Sequence, residues 1–507
     1  MRQIRRFLFS FLIILIFSIL NCGAGIIVDI LKNQILFLPY LGFYTKPTDY
    51  YLTQQLDHFE LTNDTTWKQR YWKISTYYEN QGPVFLWING EAPLSSTWTY
   101  RGQIIKYAKE FKAYCFFLEH RFYGKSNPTR DVEVNNLQYL KSAQALADIA
   151  SFISITKREN SFLAKAKWII FGGSYGGTLA AWFQMKYPDL VNGVVLSGAP
   201  LFAQIDFHDY YSVVNDSIAS FNEQCTLEIT KASKQLYDLS KTEGGCQIIN
   251  DMFRLCKDLG DTNNEKVFLF KSLAENIASV VEYSKDYKIS TSSKHLSIQD
   301  ICRIMMNDES PLFWKKMSNK SPVYRYAKVN ELILKKSGKQ CFDVSYKDYV
   351  TRMQKTDLQL MANERIWLYQ RCAEFGFYQT SKAEEEIFDD GLSVDFFNKL
   401  CVDIFGSNLH LNNTVQEIND LYGDTNNDVI DNILYIYGSL DPWKSLGIYK
   451  SVTKEKRTIV TIKGSGHCSD LYSASWFDNN ELKNARKEIR NNISKWLYGY
   501  NNKLNRI

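Results

Sequence analysis

A serine between glycines is the residue of this chain best suited to nucleophilic chemistry. Ser174 stands in the run Gly172-Gly173-Ser174-Tyr175-Gly176, after an apolar strand-like segment and before a helix-like one. A Gly-x-Ser-x-Gly turn between strand and helix is a nucleophile elbow, which lifts the serine hydroxyl above a sheet. The glycines leave room for the tight turn, and amide N–H groups at the helix start lie beside the hydroxyl. The pattern predicts a nucleophilic Ser174; an ordinary glycine-rich turn is the alternative.

An elbow serine needs a base and an acid, which in hydrolases of this kind follow it in the order Asp or Glu, then His. Of the six histidines, His467 stands last, in a glycine-rich loop after an apolar run. Asp441 precedes it, in the loop that follows the strand-like run from Ile433 to Tyr437. Order and position predict that His467 is the base and Asp441 its acid. For Asp441, a solvated turn aspartate before proline is the alternative.

Distinctive short motifs extend from residue 55 to the last helix-like segment. They include Gln55-Leu56-Asp57-His58-Phe59, Asn89-Gly90-Glu91, Glu119-His120-Arg121-Phe122-Tyr123-Gly124, Glu374-Phe375-Gly376, Leu440-Asp441-Pro442-Trp443 and Gly466-His467. Together with the elbow they resemble serine peptidase family S28, which contains lysosomal Pro-X carboxypeptidase, dipeptidyl peptidase II and the thymus-specific serine protease. The resemblance implies an α/β-hydrolase fold and a triad of Ser174, Asp441 and His467. Segments 375–380 and 467–468 are most similar to the thymus-specific branch.

Acyl transfer at such a triad also needs donors for the tetrahedral oxyanion. We expect one from the Tyr175 N–H and the other from the loop near Gly90 and Glu91, after the strand-like run Val84–Ile88. The Glu91 carboxylate could instead bind a peptide amino terminus or act as a structural acceptor. Trp443 and Tyr175 are predicted to line a proline pocket, with ordinary packing as the alternative for Trp443. No metal or organic cofactor is required.

The N-terminus indicates entry into the secretory pathway. Arg2, Arg5 and Arg6 precede an apolar run that ends near Leu20, which is typical of a signal peptide over residues 1–24. An uncleaved signal anchor is the alternative, and no other run is long and charge-free enough to cross a bilayer. The three arginines belong to a net charge of +5, so the remainder is near neutral and shows no basic stripe for nucleic acid. A lysosomal, vacuolar or extracellular protein is expected.

The cysteines fit an oxidising compartment, and none of them forms a Cys-x-x-Cys pair of the kind that binds zinc. The family resemblance implies a Cys372–Cys401 disulfide, and Cys246–Cys302 and Cys256–Cys341 are hypothetical pairings. Cys115 is predicted to be a buried free thiol. Sequons that are candidate glycan acceptors in a secreted chain occur at Asn63, Asn215, Asn319, Asn412 and Asn492.

A chain of 507 residues exceeds one ordinary core. Strand-like and helix-like segments alternate up to about residue 201, which indicates a mainly parallel sheet. Residues 202–410 are helix-like and bear cysteines, and strands resume at Ile433. We therefore expect a hydrolase domain made of residues 45–201 and 411–507. Residues 202–410 should form a helical cap, similar to the SKS domain of the family, over the carboxyl ends of the strands.

These features predict a secreted or lysosomal serine exopeptidase that acts on proline-containing peptides through an acyl-enzyme, of Pro-X carboxypeptidase or dipeptidyl peptidase type. One alternative is a carboxylesterase or lipase of the same fold, against which the family motifs argue. The other is a non-catalytic hydrolase-fold binding protein, against which the intact triad argues. Peptides are the expected partners, nucleic acid is not, and relatives suggest a homodimer.

Overall fold

Short hydrophobic runs build an eight-stranded sheet at the centre of the molecule. The strands are β1 (Tyr50–Gln55), β2 (Thr66–Ile74), β3 (Val84–Ile88), β4 (Tyr114–Leu118), β5 (Trp168–Gly173), β6 (Gly193–Ser197), β9 (Ile433–Gly438) and β10 (Thr458–Ile462). Their spatial order is β1-β2-β4-β3-β5-β6-β9-β10. From β4 to β10 the neighbours are parallel, whereas β1 and β2 add an antiparallel edge. The inner strands are buried on both sides, as parallel strands under two helix layers must be.

The fold is that of a computed structural model. It describes residues 47–60, 62–284, 296–306, 321–358, 362–381, 387–388, 391–407, 409–423, 432–449, 458–476 and 478–499. The predicted signal peptide at 1–24 and the sequon at Asn319 lie outside these residues. None of the helices within the described ranges combines the length and apolar character that a bilayer span needs.

Helices on both faces of the sheet bury the alternating side chains of its strands in two hydrophobic clusters. One cluster joins α2 and α16 to one face, and the other joins α4, α5 and the inserted helices to the opposite face. The helices of the sheet domain are α1 (Thr97–Arg101), α2 (Gln103–Phe111), α3 (Val134–Leu137), α4 (Ser142–Glu159), α5 (Tyr175–Lys186) and α16 (Asn480–Tyr498).

Between β6 and β9 the chain leaves the sheet and forms a mostly helical insertion. The inserted helices are α6 (Asp209–Phe221), α7 (Glu223–Leu239), α8 (Glu243–Phe253), α9 (Asn263–Glu282), α10 (Ile298–Met305), α11 (Pro322–Lys336), α12 (Tyr346–Met353), α13 (Ala362–Gln370), α14 (Val394–Phe405) and α15 (Leu411–Tyr422). Two short parallel strands, β7 (Gln204–Asp206) and β8 (Gly376–Tyr378), pair within it. The predicted α/β-hydrolase fold, with a helical insertion between nucleophile and acid, is confirmed.

The insertion contains three disulfides: Cys225–Cys302, Cys256–Cys341 and Cys372–Cys401. The predicted pairing of Cys246 with Cys302 is wrong, because Cys302 is bonded to Cys225. Cys246 is a buried free thiol on α8, and its Sγ donates a hydrogen bond to the Ser240 carbonyl. Cys115 is also a buried free thiol. The disulfides fit the oxidising secretory pathway.

The predicted glycan acceptors differ in accessibility. Asn412 is exposed, and Asn63 and Asn215 are partly exposed. Asn492 is only 7% exposed, on the inner side of α16. Its Nδ2, the atom that would carry a sugar, donates hydrogen bonds to the carbonyl and the carboxylate of Glu488 at 2.9 and 3.0 Å. Of the described sequons, Asn492 is therefore the least accessible to a glycan in the folded chain.

Candidate active site

Ser174 forms the sharp turn between β5 and α5. Its φ of 53° and ψ of −134° lie in a region that non-glycine residues rarely adopt. The Ser174 N–H donates to the Ser197 carbonyl of β6 at 2.9 Å, which fixes the turn to the sheet. A Cβ at Gly172 would lie 2.3 Å from the Gly176 carbonyl oxygen, so the tight turn requires glycine there. The geometry is that of a nucleophile elbow.

Asp441 and His467 form a buried pair in the loops after β9 and β10. The His467 Nδ1 lies 2.8 Å from Asp441 Oδ2, and the Trp443 N–H donates to Asp441 Oδ1 at 3.0 Å. The carboxylate thus favours the tautomer with a proton on Nδ1, which leaves Nε2 as an acceptor. Burial disfavours the imidazolium, but the charges and hydrogen bonds of Asp441 and Cys468 together outweigh it and raise the pKa of His467 well above its usual value.

The loops of Ser174 and His467 meet at the carboxyl end of β6. The Ser197 carbonyl, which accepts the Ser174 N–H, also accepts a hydrogen bond from Cys468 Sγ at 3.2 Å. A Cβ at Gly198 would lie 2.8 Å from the imidazole of His467, so the ring packs directly on that backbone. The structure therefore brings Ser174, Asp441 and His467 to one edge of the sheet from distant parts of the chain.

Glu91 completes the polar surroundings of Ser174. Its side chain is partly exposed, and Glu91 follows β3 in the loop that lies beside Ser174. Burial in the cleft raises the pKa of Glu91, and its own N–H, His467 and Ser174 oppose that shift. A Cβ at Gly90 would lie 2.8 Å from the Gly176 amide nitrogen, so this loop runs against the first turn of α5. That is the place where we predict the oxyanion donors.

An aromatic cluster lies next to the acid loop. The partly exposed Trp443 ring packs 5.6 Å from Phe207, 5.6 Å from Tyr210 and 5.5 Å from Phe377, measured between ring centroids. Tyr175 is different, because its ring is only 1% exposed and its hydroxyl accepts a hydrogen bond from Gln370. Because the Tyr175 ring is buried, it does not line an open pocket, and the prediction that it does is corrected.

A cavity of about 420 Å³ opens beside His467, on the side of the inserted helices. Its lining is mainly apolar and includes Tyr283, Leu296, Ile333 and Tyr472. The volume is in the range of small-ligand pockets. His467 therefore borders a space of the size that a small ligand occupies.

The Glu119–Gly124 motif has a structural role in the described fold. The Glu119 carboxylate accepts hydrogen bonds from Arg70, Ser126 and nearby backbone amides. Arg121 makes a buried bidentate ion pair with Asp148 at 2.7 and 2.8 Å. Burial lowers the pKa of His120 to about 4, so His120 is neutral at physiological pH. Glu119 thus ties the segment after β4 to β2 through Arg70, and Arg121 ties it to α4 through Asp148.

Sequence reasoning missed the groups that the insertion brings to His467. Glu282, at the end of α9, lies against the histidine loop, and Tyr283 packs edge-on to the imidazole at 6.1 Å. Neither residue belongs to a local motif, so their proximity to His467 could be found only from the three-dimensional fold.

An elbow serine, a buried acid and a histidine at the carboxyl edge of a parallel sheet define the α/β-hydrolase class. Within that class the chain belongs to the family described as serine carboxypeptidase S28, whose model matches residues 54–489. It is a serine-type peptidase, as the sequence motifs predicted.

Individual relatives agree with this family. A Caenorhabditis elegans relative that carries the name of a serine protease is 34% identical over 458 residues, which cover 88% of this chain and 87% of the relative. The thymus-specific serine protease of Homo sapiens is 30% identical over 88% of this chain and 86% of its own length. The lysosomal Pro-X carboxypeptidase of Bos taurus is 26% identical over 90% and 89%.

Proposed function

We propose that Ser174, His467 and Asp441 hydrolyse peptide bonds through an acyl-enzyme. The observation that carries the proposal is the 2.8 Å contact between His467 and Asp441 at the same sheet edge as the strained elbow of Ser174. His467 Nε2 takes the proton of the Ser174 hydroxyl as its oxygen attacks the substrate carbonyl carbon. His467 then returns that proton to the leaving amine, and water releases the acyl group by the same route.

The proposed oxyanion hole consists of the Tyr175 N–H and a backbone N–H of Gly90 or Glu91. Its support is the close packing of the Gly90 loop on the first turn of α5. Donors at this place stabilise the tetrahedral intermediate without moving during the reaction. Loss of one such donor typically raises the barrier by about 3–4 kcal/mol.

We propose proline-containing peptides as the substrate class. The partly exposed Trp443 ring stands among Phe207, Tyr210 and Phe377, and a flat apolar pyrrolidine ring packs well on aromatic faces. One relative is named as a Pro-X carboxypeptidase. The partly exposed carboxyl of Glu91 beside Ser174 favours action at the amino terminus, because it can pair with a terminal ammonium. A lysosomal or extracellular location is part of the proposal.

The test compares wild type with Ser174→Ala on two fluorogenic proline peptides, one acylated at its amino terminus and one amidated at its carboxyl terminus. Ser161→Ala, at an exposed serine outside the elbow, is the matched control. We expect wild type and the control to cleave the peptide with the free amine, and Ser174→Ala to cleave neither. Equal turnover by Ser174→Ala would remove Ser174 from the mechanism. Cleavage of the acylated peptide alone would reverse the choice of terminus.

A further inference from the structure

The carboxyl-terminal end of α9 is bonded directly to the histidine loop. The Glu282 carbonyl accepts the His467 N–H at 2.6 Å, and the Ser284 carbonyl accepts the Gly466 N–H at 3.2 Å. The last carbonyls of a helix lack partners within the helix, so an outside donor satisfies them. The approach is close: a Cβ at Gly466 would lie 2.3 Å from the Glu282 carbonyl oxygen. The end of α9 therefore supplies backbone hydrogen-bond acceptors to the loop that carries the proposed base.

The side chain of Glu282 fixes that helix end from the other side. It is 8% exposed, and its carboxylate accepts a hydrogen bond from the Tyr210 hydroxyl at 2.7 Å. Tyr210 is itself 4% exposed, so the bond is shielded from water. A buried carboxyl that loses its partner is left as an unsatisfied polar group, which is unfavourable. The Glu282–Tyr210 bond thus restrains α9 relative to α6.

These contacts close into a ring around the proposed acid and base. The Tyr210 ring packs 5.6 Å from Trp443, and the Trp443 N–H donates to the carboxylate of Asp441. Asp441 holds His467, and His467 donates back to the Glu282 carbonyl. The loop that carries Asp441 and the loop that carries His467 are therefore both attached to the insertion as well as to the sheet.

We propose that Glu282 is a positioning residue for the peptidase reaction: its buried bond to Tyr210 anchors the end of α9, which holds the His467 loop in register with Ser174. The inference rests on the proposed triad. Glu282 does not exchange protons with the substrate in this scheme. It acts through the backbone, so an amide that accepts the same hydrogen bond serves in its place.

The experiment uses the full-length protein and the proline peptide that wild type cleaves. The variants are Glu282→Ala, Glu282→Gln and Tyr210→Phe. Tyr346→Phe is the matched control, because the Tyr346 hydroxyl donates to Asp403 at 2.8 Å within the insertion, away from the triad. We expect Glu282→Ala and Tyr210→Phe to lose about tenfold to a hundredfold in kcat, the size of loss that slight misplacement of reacting groups causes. KM should stay within about threefold, and Glu282→Gln and Tyr346→Phe should retain most of the wild-type kcat.

Several results would overturn the inference. One is an unchanged kcat in Tyr210→Phe, and another is a rise of KM alone in Glu282→Ala. A third is a loss of kcat in Glu282→Gln as large as that in Glu282→Ala. The last is an equal loss of kcat in the control Tyr346→Phe. Tyr210→Phe removes a single hydroxyl, so it keeps the test decisive where Glu282→Ala fails to fold. Failure of the triad is distinguishable, because Ser174→Ala would then remain active.

Discussion

His467 is the residue whose charge state should set the pH dependence. As a base it works only when neutral, and the pKa of His467 is raised well above its usual value, because Asp441, first, and Cys468 oppose the effect of burial. Activity is therefore lost as pH falls through that raised pKa. We expect the acid limb of kcat/KM to lie above about pH 6.5, the ordinary value for histidine. Profiles recorded from about pH 5 to pH 9 check this.

Asp441→Asn is the variant that tests the stated cause. It removes the charge that stabilises the imidazolium, so the limb should move to lower pH, and kcat should fall by about ten thousandfold as the tautomer is lost. Glu91, Glu282, Cys468 and Asp470 also face His467 electrostatically, and they remain in this variant. If the acid limb of kcat/KM did not move, the raised pKa of His467 would be due to those groups rather than to Asp441.

At the residue scale, local motifs predicted the placement of Ser174, Asp441 and His467, because each stands in a turn directly after a hydrophobic strand. Glu282 could not be predicted in this way. Its helix has ordinary amphipathic spacing, and the contact with His467 depends on how the insertion folds back. The partner of Cys302 was missed for a similar reason. Cys225 and Cys246 both precede it on neighbouring helices, and only packing decides between them.

At the element scale, the contact between the end of α9 and the histidine loop depends on the absence of a side chain. Gly466→Ala would place a Cβ 2.3 Å from the Glu282 carbonyl oxygen, so the loop or the helix end must shift. We expect a loss of at least about tenfold in kcat. Gly244→Ala is the matched control, because a Cβ there meets nothing within 4 Å. Equal activity of the two variants would show that the close approach is not needed for turnover.

The strands differ in how well their sequences predict them. β3 has the bounds of the predicted run Val84–Ile88, and β3 and β4 are both short apolar runs buried on both sides. β1 was missed, since it is an edge strand with mostly polar or half-exposed residues. The first half of β2 is less evident in the sequence, because its buried positions include the polar residues Gln69 and Arg70. The pair β7 and β8 has only three residues per strand, too few for a periodic signal.

At the scale of the whole molecule, disulfides stabilise the insertion on which the proposed site depends. The Cys256–Cys341 bond spans 85 residues, and closing a loop of that size contributes roughly 4–5 kcal/mol in the chain-entropy model. We expect the double variant Cys256→Ser, Cys341→Ser to unfold at a clearly lower temperature and to lose activity with the insertion. Thermal unfolding and peptidase assays on the same samples check this.

Cys246→Ser is the control for that measurement. It makes the same substitution at a buried cysteine of the insertion that forms no disulfide. Its unfolding temperature should stay much closer to that of wild type. If Cys246→Ser were as destabilised as the double variant, the loss would reflect a buried hydroxyl rather than a missing cross-link.

The order of the strands has a consequence for biosynthesis. β6 lies between β5 and β9, yet the whole insertion is translated before β9 leaves the ribosome. During that interval the hydrophobic edge of β6 has no neighbour, and such an edge readily recruits other chains. The nascent chain also carries Ser174 long before His467 is synthesised, so the proposed triad cannot assemble during that interval.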